Sequence, residues 1–344
     1  MARRASRKRI NDLLAPYGTL IQDAFNASIA DITSQADFDR IVKALTAGNI
    51  DAALDGLHIN EAAFFQFKDA LQQTYQAGGA QAVSLLPTLK AADGSLLVIR
   101  FVGNQGAAQE YLEQYSGTLI RGLTLDQLNM ARDVMSAGLG AGKGPREIGL
   151  DLVGRIGKNG VRQGGSIGIS QYQATLVQNV RDELAGADPT ALRNYLSRQL
   201  RDQRFDSRVR AALNDPAKTI PADIQQAMAT SYQNRLLAFR GEQIGQTEAM
   251  RALHAGQHAA YQQAVLQGTL NGQTISRVWR TAQDKNVRDT HADMEGQTVG
   301  LEEPFVTGGG EQLMYPGDPS GSAAETIGCR CDVEVRIDFL SNIR

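Results

Sequence analysis

From Ala222 to Gln267 the chain runs without a proline, mixing small, polar and apolar residues throughout. A proline-free stretch of that length exceeds an ordinary strand or loop and suits a long, partly exposed helix or a helical pair. Gly241, Gly245 and Gly256 interrupt it and mark either a kink or a close helix contact. This stretch sets the fold class as mainly α.

Other parts of the chain agree. "QYQATLVQNVRDEL" and "PTALRNYLSRQLRDQ" carry helical spacing. So does the region from Ile10 to Gly78, where Leu13, Leu14, Tyr17, Leu20, Ile21, Ala24 and Phe25 recur on one stripe. Asp37 and Asp51 stand where helices would be N-capped, and Gly48-Asn49 where one would stop. Near 85–102, two apolar runs flank Ala92-Asp93-Gly94, which predicts a β-hairpin insertion. The stretch Gly138 to Gly144 looks like a phosphate-binding loop but lacks a preceding strand, and Gly144 stands where Ser or Thr should follow Lys143. It is better read as a helix end and connector, with Pro145 in the first turn of the next helix.

After Val278, proline, glycine and short apolar alternations replace the long stripes. That change predicts a small α+β C-terminal module of short antiparallel strands. The expected organisation is a basic arm over 1–9, a helical region with the hairpin over 10–118, a central helical domain over 119–277 and the α+β module over 278–344. A length of 344 residues fits two or three modules, and 42% hydrophobic residues support folded cores over disorder.

The net charge of -2 excludes a uniformly basic nucleic-acid binder and leaves room for a local patch. Arg3, Arg4, Arg7, Lys8 and Arg9 form one. Such an arm either contacts phosphates, or lies along an acidic protein surface, or is simply a solvated terminus. No apolar run follows it and no stretch reaches the length of a membrane span, so neither a secretory signal nor a span is expected.

The only two cysteines are Cys329 and Cys331. Strand parity puts Cys329, Cys331, Val333, Val335, Ile337 and Phe339 on one face, predicting a half-buried antiparallel strand over 329–339 with both thiols inward. Two readings share this geometry: cysteine packs well as a small hydrophobe, and two thiolates on one face can ligate one metal. A closed zinc site needs two more donors. His291 is the nearest histidine in sequence, and Asp284, Asp289, Asp293 or Glu248 would supply a carboxylate. A disulfide between positions two apart would close a very tight ring.

Asp284, Arg288, Asp289 and His291 line up as an acid–base constellation without a serine or cysteine nucleophile matched to a base. The structural reading has Asp284 capping a turn, Arg288 pairing with a carboxylate and His291 donating to a backbone carbonyl. Trp279, the sole tryptophan, is expected in the core of the module. His254 and His258 share a helix face without the glutamate of a metalloprotease helix, and are expected at the surface.

In chain order stand Thr247-Glu248, Trp279, Asp284, Arg288, His291, Gly296, Pro304-Phe305, Tyr315-Pro316-Gly317-Asp318 and Cys329-Arg330-Cys331. With these the chain resembles the phage Mu F-like head-morphogenesis family, the minor head proteins of tailed phages, over residues 120 to 337. Gln246 stands where that family often has arginine, and Gly328 where it has asparagine.

The resemblance implies a virion protein of few copies, assembled in the host cytoplasm and held in the capsid interior or at the portal vertex. Its implied partners are the portal protein, the major capsid protein and packaged double-stranded DNA, with ejection alongside the genome in some relatives and no membrane partner in the mature head. No catalytic residue is implied: Glu248, Trp279, Asp284, Arg288, His291, Gly296, Pro316, Asp318, Cys329 and Cys331 become internal scaffold. No cofactor is firmly implied, and zinc on Cys329, Cys331 and His291 is the one candidate. The competing reading is a metal-assisted hydrolase or nuclease, with Glu248 or Asp284 and His291 handling protons beside a metal held by the cysteines.

Overall fold

The computed structural model describes residues 2–87, 89–90, 96–97, 99–103, 111–157, 160, 162–186, 188–215 and 217–339; of 2–11, 89–90, 97 and 112 it describes the backbone alone. In chain order the helices of the first half are α1 (Ala2–Gln35), α2 (Phe38–Thr46), α3 (Ile50–Asp55), α4 (Phe65–Ser84), α5 (Gly117–Gly140) and α6 (Pro145–Val153). They are followed by α7 (Gln171–Ala185), α8 (Pro189–Ser197), α9 (Asp206–Asn214), α10 (Ala222–Leu266), α11 (Asp289–Ala292) and α12 (Ala323–Thr326). Strands are short: β1 (Leu89–Lys90), β2 (Leu96–Leu97), β3 (Arg155–Ile156), β4 (Arg162–Gln163), β5 (Ile275–Arg280), β6 (Thr298–Gly300), β7 (Phe305–Val306), β8 (Gln312–Leu313) and β9 (Asp332–Ile337). The protein is thus mainly α, with its three-stranded sheet in the C-terminal module.

The chain divides into two units, each built from separated stretches. The first takes Met1–Phe25, Gln66–Leu119 and Glu242–Arg344, and the second Asn26–Phe65 and Ile120–Gly241. Among the described residues no helix is long and apolar enough to cross a membrane.

In the second unit, local sequence chemistry sets the helix ends. Asp37 caps α2 by accepting from the Arg40 amide at 3.0 Å. Asn49, not Asp51, caps α3 by accepting from the Ala52 amide at 2.9 Å, because Asp51 already lies inside the first turn. Ser170 and Gln173 form a reciprocal capping box on α7, and Asp188 caps α8 ahead of Pro189. The apolar stripes of α7 to α10 close on Val180, Leu192, Tyr195, Val209 and Met228, all fully buried.

The glycine-rich connector ends α5 and leads to Pro145 at the first position of α6. Its Lys143 Nζ stands 2.8 Å from Asp151 Oδ2, so the lysine is committed to an ion pair. Arg181 at 3.1 Å and Arg155 at 3.6 Å complete a three-cation shell around the buried Asp151 carboxylate. Burial alone would push that carboxyl up. Arg181 and Lys143 outweigh the burial and hold it below the usual range.

In the first unit, α10 answers the choice left open by its glycines. It is one continuous helix, and two of its glycines mark close approaches. A Cβ on Gly245 would strike the Gly18 carbonyl of α1, and one on Gly256 would strike the Tyr75 carbonyl of α4. On either side of Gly256, His254 is buried and His258 half-buried, against the surface position expected for the pair. Loss of water pushes their imidazoles down, to about 4 for His254 and about 3 for His258. The expected hairpin is present as β1 paired antiparallel with β2, and its turn at Ala92-Asp93-Gly94 lies outside the described residues.

The C-terminal module hangs on an antiparallel sheet ordered β6-β5-β9, with Trp279 opposite Val333 and Arg277 opposite Val335. β5 is the middle strand and is buried along most of its length. Trp279, fully buried, anchors a cluster with Met294, Phe305, Leu313, Cys329 and Cys331. Arg277 is buried too: its Nε donates to the Gly300 carbonyl at 3.0 Å, and its two terminal nitrogens donate to the carbonyls of Met314 and Glu303.

Candidate functional site

The first requirement of the site is a way to bring distant residues together, and the module meets it with two short helices and one left-handed turn. After β5, Asp284 turns the chain by accepting the Asn286 amide at 2.9 Å, and α11 then presents His291 inward. Downstream, α12 presents Glu325 and stops at Ile327. Gly328 then takes φ +66°, a conformation that costs glycine nothing and that asparagine tolerates better than most residues.

The expected strand over 329–339 is shorter than its parity suggests. Only Asp332–Ile337 pairs with β5, and the two cysteines lie on the turn leading into it. The Cys329 amide bonds back to the Thr326 carbonyl at 3.3 Å instead of joining the ladder. The turn is held from both sides: Thr247 Oγ1 on α10 accepts the Gly328 amide at 3.2 Å, and Arg288 donates to the Ile327 carbonyl.

This turn delivers both thiols to one imidazole nitrogen. His291 Nδ1 is 3.6 Å from Cys329 Sγ and 3.5 Å from Cys331 Sγ, and the three donor atoms lie within 4.8 Å of one another. The opposite ring nitrogen, Nε2, is 2.9 Å from Glu325 Oε2, a close contact short of hydrogen-bond alignment. Thr290 Oγ1 fixes that carboxylate by donating to it at 2.9 Å. Trp279 meets the imidazole edge-to-face at 5.4 Å between ring centres. Relative exposures of 1% for His291, 5% for Cys329 and 3% for Cys331 make the cluster a closed one. The two thiols, which are not joined in a disulfide, compete for one negative charge. The hydrogen bond from Cys331 pushes Cys329 well below the usual thiol range, and the same bond pushes Cys331 up.

Several sequence expectations are revised here. His291 does not donate to a backbone carbonyl but lies between two sulfurs and a carboxylate. Arg288 meets the Ile327 carbonyl instead of a carboxylate. Asp284, besides capping its turn, holds Arg330 in a two-pronged pair at 2.6 and 2.7 Å. The carboxylate beside the histidine is Glu325, not Asp284, Asp289, Asp293 or Glu248. Its only sequence signal is its place in "SGSAAET", a few residues before the first cysteine. Glu248 has other partners: Tyr115 donates to it at 2.6 Å and Arg251 at 3.0 Å.

The remaining motif residues lie in turns of the same module. Asp318 accepts the Met314 amide at 2.6 Å and the Ser320 amide at 2.9 Å, tying off the turn that contains the buried Pro316. Gly317, at φ +81°, lies against the Arg251 backbone and accepts a hydrogen bond from Arg251 Nε at 2.6 Å. Gly296, at φ +79°, turns the chain between α11 and β6. The side chains of Arg3, Arg4, Arg7, Lys8 and Arg9 lie outside the described residues. In the second unit a cavity of about 600 Å³ is lined by Ile29, Val153, Ile167 and Leu237, among others, with Arg162 the one charged residue on its wall among the described residues. Among the described residues it offers no acid–base or metal-binding set.

Residues 195–334 match the family model of phage Mu protein F like protein. The Mu F-like segment therefore contains α10 from end to end and every residue of the His291 cluster. It starts well after residue 120, so the resemblance read from the motifs is confirmed for the C-terminal part of its span. The chain is also 32% identical over 95 residues to the uncharacterized protein YqbB of Bacillus subtilis (strain 168), covering 27% of this chain and 29% of that protein. The chain therefore spans less than a third of that relative's length. No solved structure matches.

Proposed function

We propose that this chain is a minor head protein of a phage particle, acting in head morphogenesis and bound to the portal. The observation that carries the reading is the match of residues 195–334 to the phage Mu protein F like family. The closed state of the module supports it. Groups that would have to meet a substrate in a hydrolase, His291, Cys329 and Cys331, are buried against Trp279 and Met294, where they hold a fold together. In this reading the module is the rigid part that docks, and Arg3, Arg4, Arg7, Lys8 and Arg9 contact packaged DNA.

Quantitative mass spectrometry of purified particles, made from the genome that encodes the chain, tests the proposal. The chain should be present at far fewer copies than the major capsid protein and should stay with the portal when heads are dissociated. Its absence from particles would overturn the reading. The DNA contact has its own test. Deleting residues 1–9 should weaken binding to duplex DNA and flatten its salt dependence, and unchanged binding would remove that part alone.

A further inference from the structure

We infer that His291, Cys329 and Cys331 bind one thiophilic divalent cation of the zinc class, and that Glu325 is the carboxylate that orients the imidazole. The inference needs no assembled particle, so it stands or falls separately from the proposed role in the head.

Hydrogen bonding to the imidazole serves only one of the two sulfurs at a time. A neutral imidazole nitrogen without a proton has one in-plane lone pair and accepts one good hydrogen bond. Here two sulfurs approach that one nitrogen at nearly equal distances, 3.6 and 3.5 Å. A cation between the three donors satisfies all of them together. Zinc–sulfur bonds of about 2.3 Å and a zinc–nitrogen bond of about 2.05 Å, at the tetrahedral angle, put sulfur and nitrogen about 3.6 Å apart. The cluster already has that spacing.

The far side of the ring agrees. Metal-binding histidines usually present their second nitrogen to a carboxylate, which fixes the tautomer. Glu325 Oε2 at 2.9 Å from Nε2 is placed for this, and the Thr290 hydroxyl holds it there. A proton on Nε2 leaves the Nδ1 lone pair free to face the thiols. The indole N–H of Trp279, buried without an aligned partner, lies within reach of the Cys331 sulfur, and a metal-bound thiolate accepts such a donor better than a thiol does.

Charge and composition point the same way. Binding leaves both sulfurs deprotonated: the proton still held between them goes to solvent as two metal–sulfur bonds and one metal–nitrogen bond form, with no change of oxidation state. A dication with two thiolates is neutral as a unit, which suits a dry site walled by Trp279, Met294 and Phe305. Two sulfur donors favour zinc over magnesium or calcium. Among the described residues no fourth histidine, cysteine or carboxylate joins the set, so one coordination position falls to a small exogenous donor.

The test uses the full chain purified from zinc-supplemented culture. Elemental analysis should find one zinc per chain, and exchange with cobalt(II) should give thiolate-to-cobalt charge-transfer absorption. Cys331→Ser should lose the metal and the absorption. Because that variant also opens a buried site, Glu325→Gln provides the second measurement. Its circular dichroism should match the parent while its metal affinity falls by about 10–100-fold. A folded, metal-free chain that takes up no cobalt and melts at the same temperature with zinc or chelator would overturn the site. An unchanged affinity in Glu325→Gln would overturn the role given to Glu325.

Discussion

The hydroxyl of Thr247 accepts the amide proton of Gly328 at 3.2 Å, linking α10 to the turn that carries both cysteines. Together with the bond from Arg288 to the Ile327 carbonyl, this is what fixes the turn's backbone before the strand begins. Thr247→Val keeps the shape and removes the acceptor, leaving a part-buried amide unpaired. The expected loss is about 1–3 kcal/mol. Hydrogen exchange should speed up at residues 328–331 first, and a uniform change across the module would count against a local role.

Glu248 gives a pH signature. Burial pushes its carboxyl up to about 8, even with Arg251 at 3.0 Å. In the unfolded chain the group ionises near the ordinary glutamate value of about 4.3. Between those values the folded state holds a proton that the unfolded state has released, so stability falls as pH rises from about 4.5 to about 8. Glu248→Gln cannot titrate, and the stability difference between the two chains should change across that window. A constant difference from pH 5 to 8 would disprove the shift.

His254 gives the opposite signature over a lower range. Its imidazole is pushed down to about 4, so the unfolded chain takes up a proton from about 6.5 downward while the folded one does not. Stability that is present above pH 6.5 is therefore lost as pH falls toward 4. Denaturant melts of His254→Gln should show a shallower acid loss than the parent.

Asp151 tests the second unit. Removing its carboxylate leaves Lys143, Arg155 and Arg181 facing one another without their shared counter-charge. Asp151→Ala should cost about 3–5 kcal/mol in a urea melt, the usual penalty for breaking a buried ion pair from one side. A loss under 1 kcal/mol would mean that water already compensates these cations.

Gly256 tests helix contact. An alanine there meets the Tyr75 carbonyl, which is backbone and cannot swing aside, so a residue that favours helix on propensity should destabilise instead. Gly122, also in a helix and with open space around it, is the control: Gly122→Ala should be neutral or stabilising by up to about 1 kcal/mol. The two substitutions should shift the melting temperature in opposite directions.

These residues also show how much of the molecule its sequence reveals. Helical stripes, the capping side chain Asp37, the proline at the start of α6 and the hairpin are local, and local chemistry decides them. The inward parity of Cys331, Val333 and Val335 was legible for the same reason. The length of that strand was not, because pairing ends where β5 ends at Arg280, a tertiary fact. Glu325 escaped notice because nothing in "SGSAAET" announces that α12 faces α11 across the module. His254 was misplaced because a polar residue on a long helix looks exposed until another element covers it, here the sheet residues Arg277 and Val333. The division into two units built from separated stretches is likewise set by packing, since α1 and α10 each contribute to both.

The edge-to-face contact between Trp279 and His291 has a practical consequence for spectroscopy. A protein with a single indole has one source of tryptophan emission, and here that source adjoins the imidazole and both sulfurs. Fluorescence excited selectively at the indole, beyond the absorption of the nine tyrosines, is therefore a local gauge, its intensity and wavelength set by whatever occupies or disturbs this small neighbourhood and blind to the long helices elsewhere.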